Sequence, residues 1–222
     1  LTDFEDAHAA LLERTDTLGD TYEEYSFSGV RTAEITQRGF FDDDAALGHT
    51  PITTGPGIAR ILCYGIGGTA TGAEFVGYSQ AVEVGFKELA ARGGLHKAEA
   101  NYRTSGPFET GKVVRTYNVA SATGKTDQLD GAASSTGLAA YLQYNASAGE
   151  ANIRVMHSAS AGATVGATLF TFAKTASGFG AERLTTTGVA QRFTWVDVTT
   201  ASATGSIGAL NYFVGLVRGI TS

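Results

Sequence analysis

Cysteine, proline and histidine are scarce in this chain, and each shortage excludes something. One cysteine, Cys63, among 222 residues rules out an intrachain disulfide framework, and no Cys and His cluster has the spacing of zinc ligands. Stability must therefore come from packing and assembly. Three prolines against 29 glycines suit turns between short strands and not proline-rich linkers. No apolar run approaches the ~18 residues of a membrane span, and the N-terminus lacks a basic region followed by an apolar stretch. A soluble, unexported protein with no membrane insertion is expected. The start at Leu1 leaves open what precedes it.

What is present is an apolar content of 43%, enough to bury a core in one large or two small domains. The net charge of −6 argues against a basic groove that grips phosphates. Its distribution is uneven. Residues 1–113 hold 17 acids and 9 bases, net −8, whereas residues 114–222 hold 5 acids and 7 bases, net +2.

The opening segment has a candidate N-cap at Thr2 or Asp3 and apolar Phe4, Ala7, Leu11 and Leu12, which a short helix would present on one face; a strand over Ala9 to Glu13 competes. "TDTLGDTYEE" then reads as an acidic loop. In "VRTAEITQRGFFDDD", Ala33 and Ile35 alternate with Thr32, Glu34, Thr36 and Arg38, the pattern of a strand with one wet face. "ARILCYGI" and "AEFVGYSQAVEVGFKE" flank "GGTATG" as a hairpin. In the second of these runs Val76, Tyr78, Val82, Val84 and Phe86 share one face, and Gly77, Ser79, Ala81 and Glu83 the other. "LHKAEANYRTSG" supplies a further strand. Near "TGKVV" the texture turns to Ala, Ser, Thr and Gly, placing a boundary near Val113, followed by a long loop over "SATGKTDQLDGAASSTG". Strands are then predicted over 139–145, 152–157, 168–173, 182–185, 191–198 and 210–217, a spacing that indicates an antiparallel sandwich with Trp195, Phe193, Phe170 and Phe172 in its core.

Chemical motifs fail on inspection. "GIGGTATG" has Ala70 where a dinucleotide fingerprint needs glycine, and a strand follows it; "ATGKT" has Val119 where a phosphate loop needs glycine. Asp42, Asp43 and Asp44, and separately Asp127 with Asp130, offer oxygen ligands but not the alternating order of a calcium loop. His8, His49, His96 and His157 lie far apart, and none adjoins a nucleophile in a recognisable elbow. The expectation is a protein with no catalytic residue, no metal and no cofactor.

The order Gly19, Asp20, Tyr22, Glu24, Gly29, Arg31, Ala33, Ile35, Gly39, Phe40, Phe41 and Asp42 resembles the loop and strand signature of the major tail tube proteins of long-tailed, siphovirus-like bacteriophages. The resemblance covers residues 10 to about 113; the later half is more loosely similar to the extra C-terminal β domains some of these proteins carry. It implies an all-β fold, with an antiparallel β-barrel or sandwich tail tube domain over residues 1–113 and a C-terminal β-sandwich, jelly-roll or Ig-like, over 114–222 on the tube exterior. It further implies a virion structural protein, assembled in the host cytoplasm, whose rings, usually six-fold, stack into a hollow tube. Genome DNA passes through that bore without sequence-specific contact. The implied partners are other copies of the chain and tail proteins of the tape measure, terminator and baseplate kinds.

On this reading an exposed strand edge pairs with a neighbouring copy, and the adjacent acids limit which partner adds. An acidic bore repels the duplex, so Glu34 and Glu83 are candidate lumen-facing acids, with solubilisation of the outer wall as the other role for such acids. The loops 13–28 and 42–57, carrying Asp16, Asp20, Tyr22, Glu24, Asp42, Asp43 and Asp44, are candidate contacts between stacked rings. The alternative is a capsid decoration or host-glycan-binding sandwich, in which Tyr141, Tyr144, Trp195 and Tyr212 would stack on sugars if they faced outward.

Overall fold

The computed structural model describes residues 3–14, 25–40, 57–66, 70–89, 97–104, 108–120, 124–126, 128–134, 136–146, 151–174, 178–200 and 210–220. Every element among them is a β-strand, and the paired strands run antiparallel. In chain order they are β1 (Asp3–Arg14), β2 (Tyr25–Phe40), β3 (Ala59–Gly65), β4 (Glu74–Leu89), β5 (Lys97–Thr104), β6 (Phe108–Ala120), β7 (Gly124–Lys125), β8 (Leu129–Asp130), β9 (Leu138–Ala146), β10 (Ala151–Ser158), β11 (Ala167–Lys174), β12 (Gly178–Thr186), β13 (Phe193–Thr200) and β14 (Leu210–Arg218). They fall into two compact units, residues 1–60 with 78–108, and residues 61–77 with 109–222.

In the first unit the strand order is β1-β2-β5-β4. Asp3–Arg14 of the opening segment is one strand, which corrects the helix reading. Its pairing with β2 from Asp3↔Arg38 to Arg14↔Tyr25 supplies backbone partners that an isolated short helix would have to find within itself. Ala33 and Ile35 are buried and Glu34 is exposed, as their alternation predicts. From β5, Ala100, Tyr102 and Thr104 point to the same covered face.

The second unit is a sandwich. One sheet has the order β6-β14-β9-β12, the other β11-β10-β13-β7, with β8 also pairing with β13. Between them pack Leu138, Ala140 and Leu142 of β9, Ile153 and Val155 of β10, Phe170 and Phe172 of β11, Val196 and Val198 of β13, and Leu210, Tyr212, Val214 and Leu216 of β14. The first sheet is covered on its other face too. Phe75, Val113, Ala139, Tyr141 and Val217 form a second buried cluster there, flanked by Ile61, Cys63 and Ala73. Burial on both faces explains why Leu138 to Leu142 read as a continuous apolar run without alternation.

β6 was not foreseen, and Val113, the expected boundary, lies inside it. Val113 packs into one cluster and Val114 into the other, so the alternation begun by exposed Thr110 and Lys112 stops at the strand's centre. Trp195 is 1% exposed but stands outside the inter-sheet cluster: Lys125 Nζ sits 4.6 Å from its ring centroid and donates to the Ala163 carbonyl. Phe193 is only half-buried. The described end of the "GGTATG" break, Ala70 to Gly72, is a turn before β4, with Gly72 at φ 90, a conformation costly for any residue with a Cβ.

Tyr141 lies flat against Gly77, and a Cβ built there would meet its ring at 2.6 Å. Gly77→Ala should destabilise the second unit by roughly 1–3 kcal/mol, the usual cost of overpacking, read as a lower urea midpoint at unchanged slope. An unchanged midpoint would mean that Tyr141 moves aside freely.

Candidate assembly surface

A strand edge is a row of unpaired donors and acceptors, so the surface that joins copies is sought where pairing stops. Among the described residues β1 has a hydrogen-bonded neighbour on one side only, β2. β2 is flanked by β1 and β5, which corrects its expected placement as the free edge. The flanking is incomplete. β5 pairs with Glu34 to Phe40, whereas β1 pairs with β2 as far back as Tyr25. Among the described residues, Ala10 to Arg14 of β1 and Tyr25 to Thr32 of β2 therefore form a two-stranded ribbon beyond the stretch that β5 pairs, with a register irregularity between Ala10 and Leu12. A lone two-stranded ribbon is marginal in water and gains from a neighbour.

The candidate ring-contact residues Asp16, Asp20, Tyr22, Glu24, Asp42, Asp43 and Asp44 lie outside the described residues. In sequence the first four fall between the end of β1 at Arg14 and the start of β2 at Tyr25.

The two candidate lumen acids are placed differently. Glu34 is exposed and accepts from Arg103 Nε at 3.0 Å and Nη2 at 2.8 Å, a solvent-screened pair worth at most about 1 kcal/mol. Glu83 is 1% exposed, which corrects its assignment to a wet face. The cause is a bulge: Glu83 pairs with Tyr102 and Gly85 with Asn101, so Val84 is the extra residue and the alternation of β4 changes sense there. Val84 is instead 54% exposed.

Charge follows the compact units. Residues 1–60 and 78–108 hold 15 acids and 8 bases, net −7, and the remainder hold 7 acids and 8 bases, net +1.

In the second unit the charged side chains fasten strands to one another. Glu109 of β6 accepts from the Tyr141 hydroxyl at 2.5 Å and from Arg183 Nε at 2.9 Å and Nη2 at 2.5 Å. This group ties β6 and β9 to the edge strand β12, and Arg183 and Glu109 are mostly buried at 22% and 9% side-chain exposure. Burial and the Glu109 carboxylate push the Tyr141 hydroxyl well above its ordinary pKa, so it stays a donor. No sequence motif marks the trio, because Glu109 and Arg183 are 74 residues apart. Asp130 receives a two-pronged contact from Arg192, at 2.6 and 2.8 Å, and that guanidinium holds its carboxyl below the usual range. His157 Nδ1 accepts from the Gln191 amide at 3.0 Å, and burial, with Arg218 nearby, lowers its pKa. His8 lies in β1, while His49, His96 and Asp127 fall outside the described residues. Of the aromatics offered for sugar stacking, Tyr141, Trp195 and Tyr212 are buried at 0%, 1% and 1% exposure, and Tyr144 is half-buried.

Among solved structures, the chain is similar to a chain in the virion of a native gene transfer agent particle, with TM-score 0.31 and 16% identity over 49% of this chain and 82% of the other. It is similar to a chain in the tail of an empty gene transfer agent particle refined with C6 symmetry, with TM-score 0.28 and 13% identity over 48% and 76%. It is also similar to Dit of phage SPP1, described as a paradigm of the hub adsorption apparatus in phages infecting Gram-positive bacteria, with TM-score 0.31 and 9% identity over 99% and 93%. No protein-family model matches the chain, and no curated protein does.

Removing one partner of the Glu109 group strands a half-buried guanidinium. Glu109→Gln should lower the stability of the second unit by about 2–3 kcal/mol, followed through the fluorescence of the single tryptophan. A loss below about 0.5 kcal/mol would assign the trio no structural role.

Proposed function

We propose that this chain is a structural subunit of a phage-type tail, built into rings that stack as a hollow tube and conduct genome DNA. The observation that carries the reading is the β1–β2 ribbon, which among the described residues has no sheet partner for β2 over Tyr25 to Thr32 other than β1. Gly29 and Arg31 of the tail tube signature lie on that ribbon, and Ala33, Ile35, Gly39 and Phe40 follow on the same strand, where β5 covers it from Glu34 onward. An edge that adds a neighbour, repeated by rotation and then along an axis, gives a tube of bounded diameter in place of an aggregate.

The charge distribution fits the same task. Fifteen of the 22 acids are in the unit that carries the ribbon. An acidic wall repels a duplex and lets it pass, whereas a basic one would release counterions and hold it. Glu34 is half of a neutralised pair with Arg103 and adds no net charge to such a wall, so the repulsion rests on the other acids of the unit. On this account the second unit, near neutral and closed around its own core, stands outside the bore as a separate sandwich. The glycan-binding alternative loses most of its stacking platform, since three of its four aromatics are buried.

Negative-stain electron microscopy of the purified chain at rising concentration tests the proposal. Rings with a central hole, stacking into rods as concentration increases, are expected. Discrete solid particles at every concentration would sink the tube reading and return the choice to a decoration or adhesion module.

A further inference from the structure

One cross-strand row of the first unit is chemically inverted. Ile35, Tyr102 and Glu83 are in register across β2, β5 and β4, with exposures of 1%, 5% and 1%. Both Glu83 carboxylate oxygens lack a hydrogen-bond partner. An ionised carboxylate in that setting is among the most costly groups to bury. Its neighbour Val84 is 54% exposed, and so is Ile58, which the Gly57 amide brings alongside by donating to the Glu83 carbonyl at 2.9 Å. A carboxylate is inside and a valine outside, at the one irregularity between β4 and β5.

The pairing on the C-terminal side of that bulge sets Phe86 opposite Ala100 and Gly85 opposite Asn101. Continued without interruption, it would set Val84 opposite Tyr102, Glu83 opposite Arg103 and Val82 opposite Thr104. Val82 and Val84 then join the covered face of Ala100, Tyr102 and Thr104. Glu83 moves to the open face, beside the Arg103 guanidinium that holds Glu34 from the other side. This is also the arrangement that the alternation of Val76, Tyr78, Val82, Val84 and Phe86 describes.

We propose that β4 is a two-register strand, in which moving the bulge from Val84 to the N-terminal side of Val82 exchanges a buried Glu83 for buried Val82 and Val84. Protonation of Glu83 selects between the two. In the register described here, burial raises its pKa, with Arg60 of β3 acting in the opposite sense and Tyr102 of β5 facing it across the pair. A carboxyl whose pKa is raised binds its proton more tightly in that register. The inward state is therefore fully favoured at acid pH and weakens as pH rises through the raised value, while Arg103 rewards the outward carboxylate. The proposal concerns one strand pair and stands whether or not the chain builds a tube.

The test reads the exposure of position 84. A Val84→Cys thiol is introduced in the Cys63→Ser background, held below any assembling concentration as verified by sedimentation velocity, and labelled with a maleimide at pH 5 and pH 8, each rate normalised to the unfolded chain. With Glu83 present, the normalised rate should fall on the order of tenfold at the higher pH; adding Glu83→Gln, which is neutral at both, should keep it high at both. Equal normalised rates at the two pH values with Glu83 present would overturn the proposal, as would a fall of the same size in the Glu83→Gln chain. In the unmodified chain, Val84 methyl contacts to the Tyr102 ring in NMR spectra should appear only at the higher pH, and their absence there overturns it equally.

Discussion

The sheet β6-β14-β9-β12 is apolar on both faces, so it has to be covered twice. One cover is the second sheet of the sandwich. The other comes from residues 61–77, the end of β3 and the start of β4, which deliver Ile61, Cys63, Ala73 and Phe75. Because those residues sit in the middle of the sequence of the first unit, covering that sheet forces the two units to share chain. β4 begins in one unit and finishes in the other, and β6 carries Val113 and Val114 into opposite clusters. The small residues follow from the same demand: Gly77 and Gly215 are where the rings of Tyr141 and Phe75 press on backbone.

Strands with one wet face were legible. Ala33 and Ile35 alternate with Glu34, and the six strands anticipated after residue 138 all exist, with ends displaced by at most two residues except at β12, which starts at Gly178 and not at residue 182. What failed did so for identifiable reasons. β6 sends the adjacent Val113 and Val114 into opposite clusters, which breaks its alternation, so it passed for a change of composition. β1 contains apolar residues at spacings compatible with a helix turn, and only a partner strand, β2, with pairs from Asp3↔Arg38 to Arg14↔Tyr25, decides the matter. Glu83 was misplaced because one extra residue reverses every orientation beyond it, and a bulge leaves no mark in a hydrophobic pattern. The Glu109, Tyr141 and Arg183 trio joins three strands distant in sequence, which no local reading reaches.

The proposed function depends on the ribbon more than on any single side chain. Its backbone is matched on one side by its own hairpin and has no sheet neighbour over Tyr25 to Thr32 among the described residues, apart from the paired β1. On the proposed reading a copy adds along the ribbon, and the acids concentrated in the ribbon-bearing unit act on what passes or docks there, by repulsion over distances comparable to the Debye length.

Amide hydrogen exchange across the assembly transition measures this directly. In the isolated subunit the amides of residues 10–14 and 25–32 should exchange far faster than those of β9 and β14, and on assembly they should gain protection while the sandwich core changes little. Protection of the ribbon that is already complete in the isolated subunit, or that is unaltered by assembly, would contradict the account.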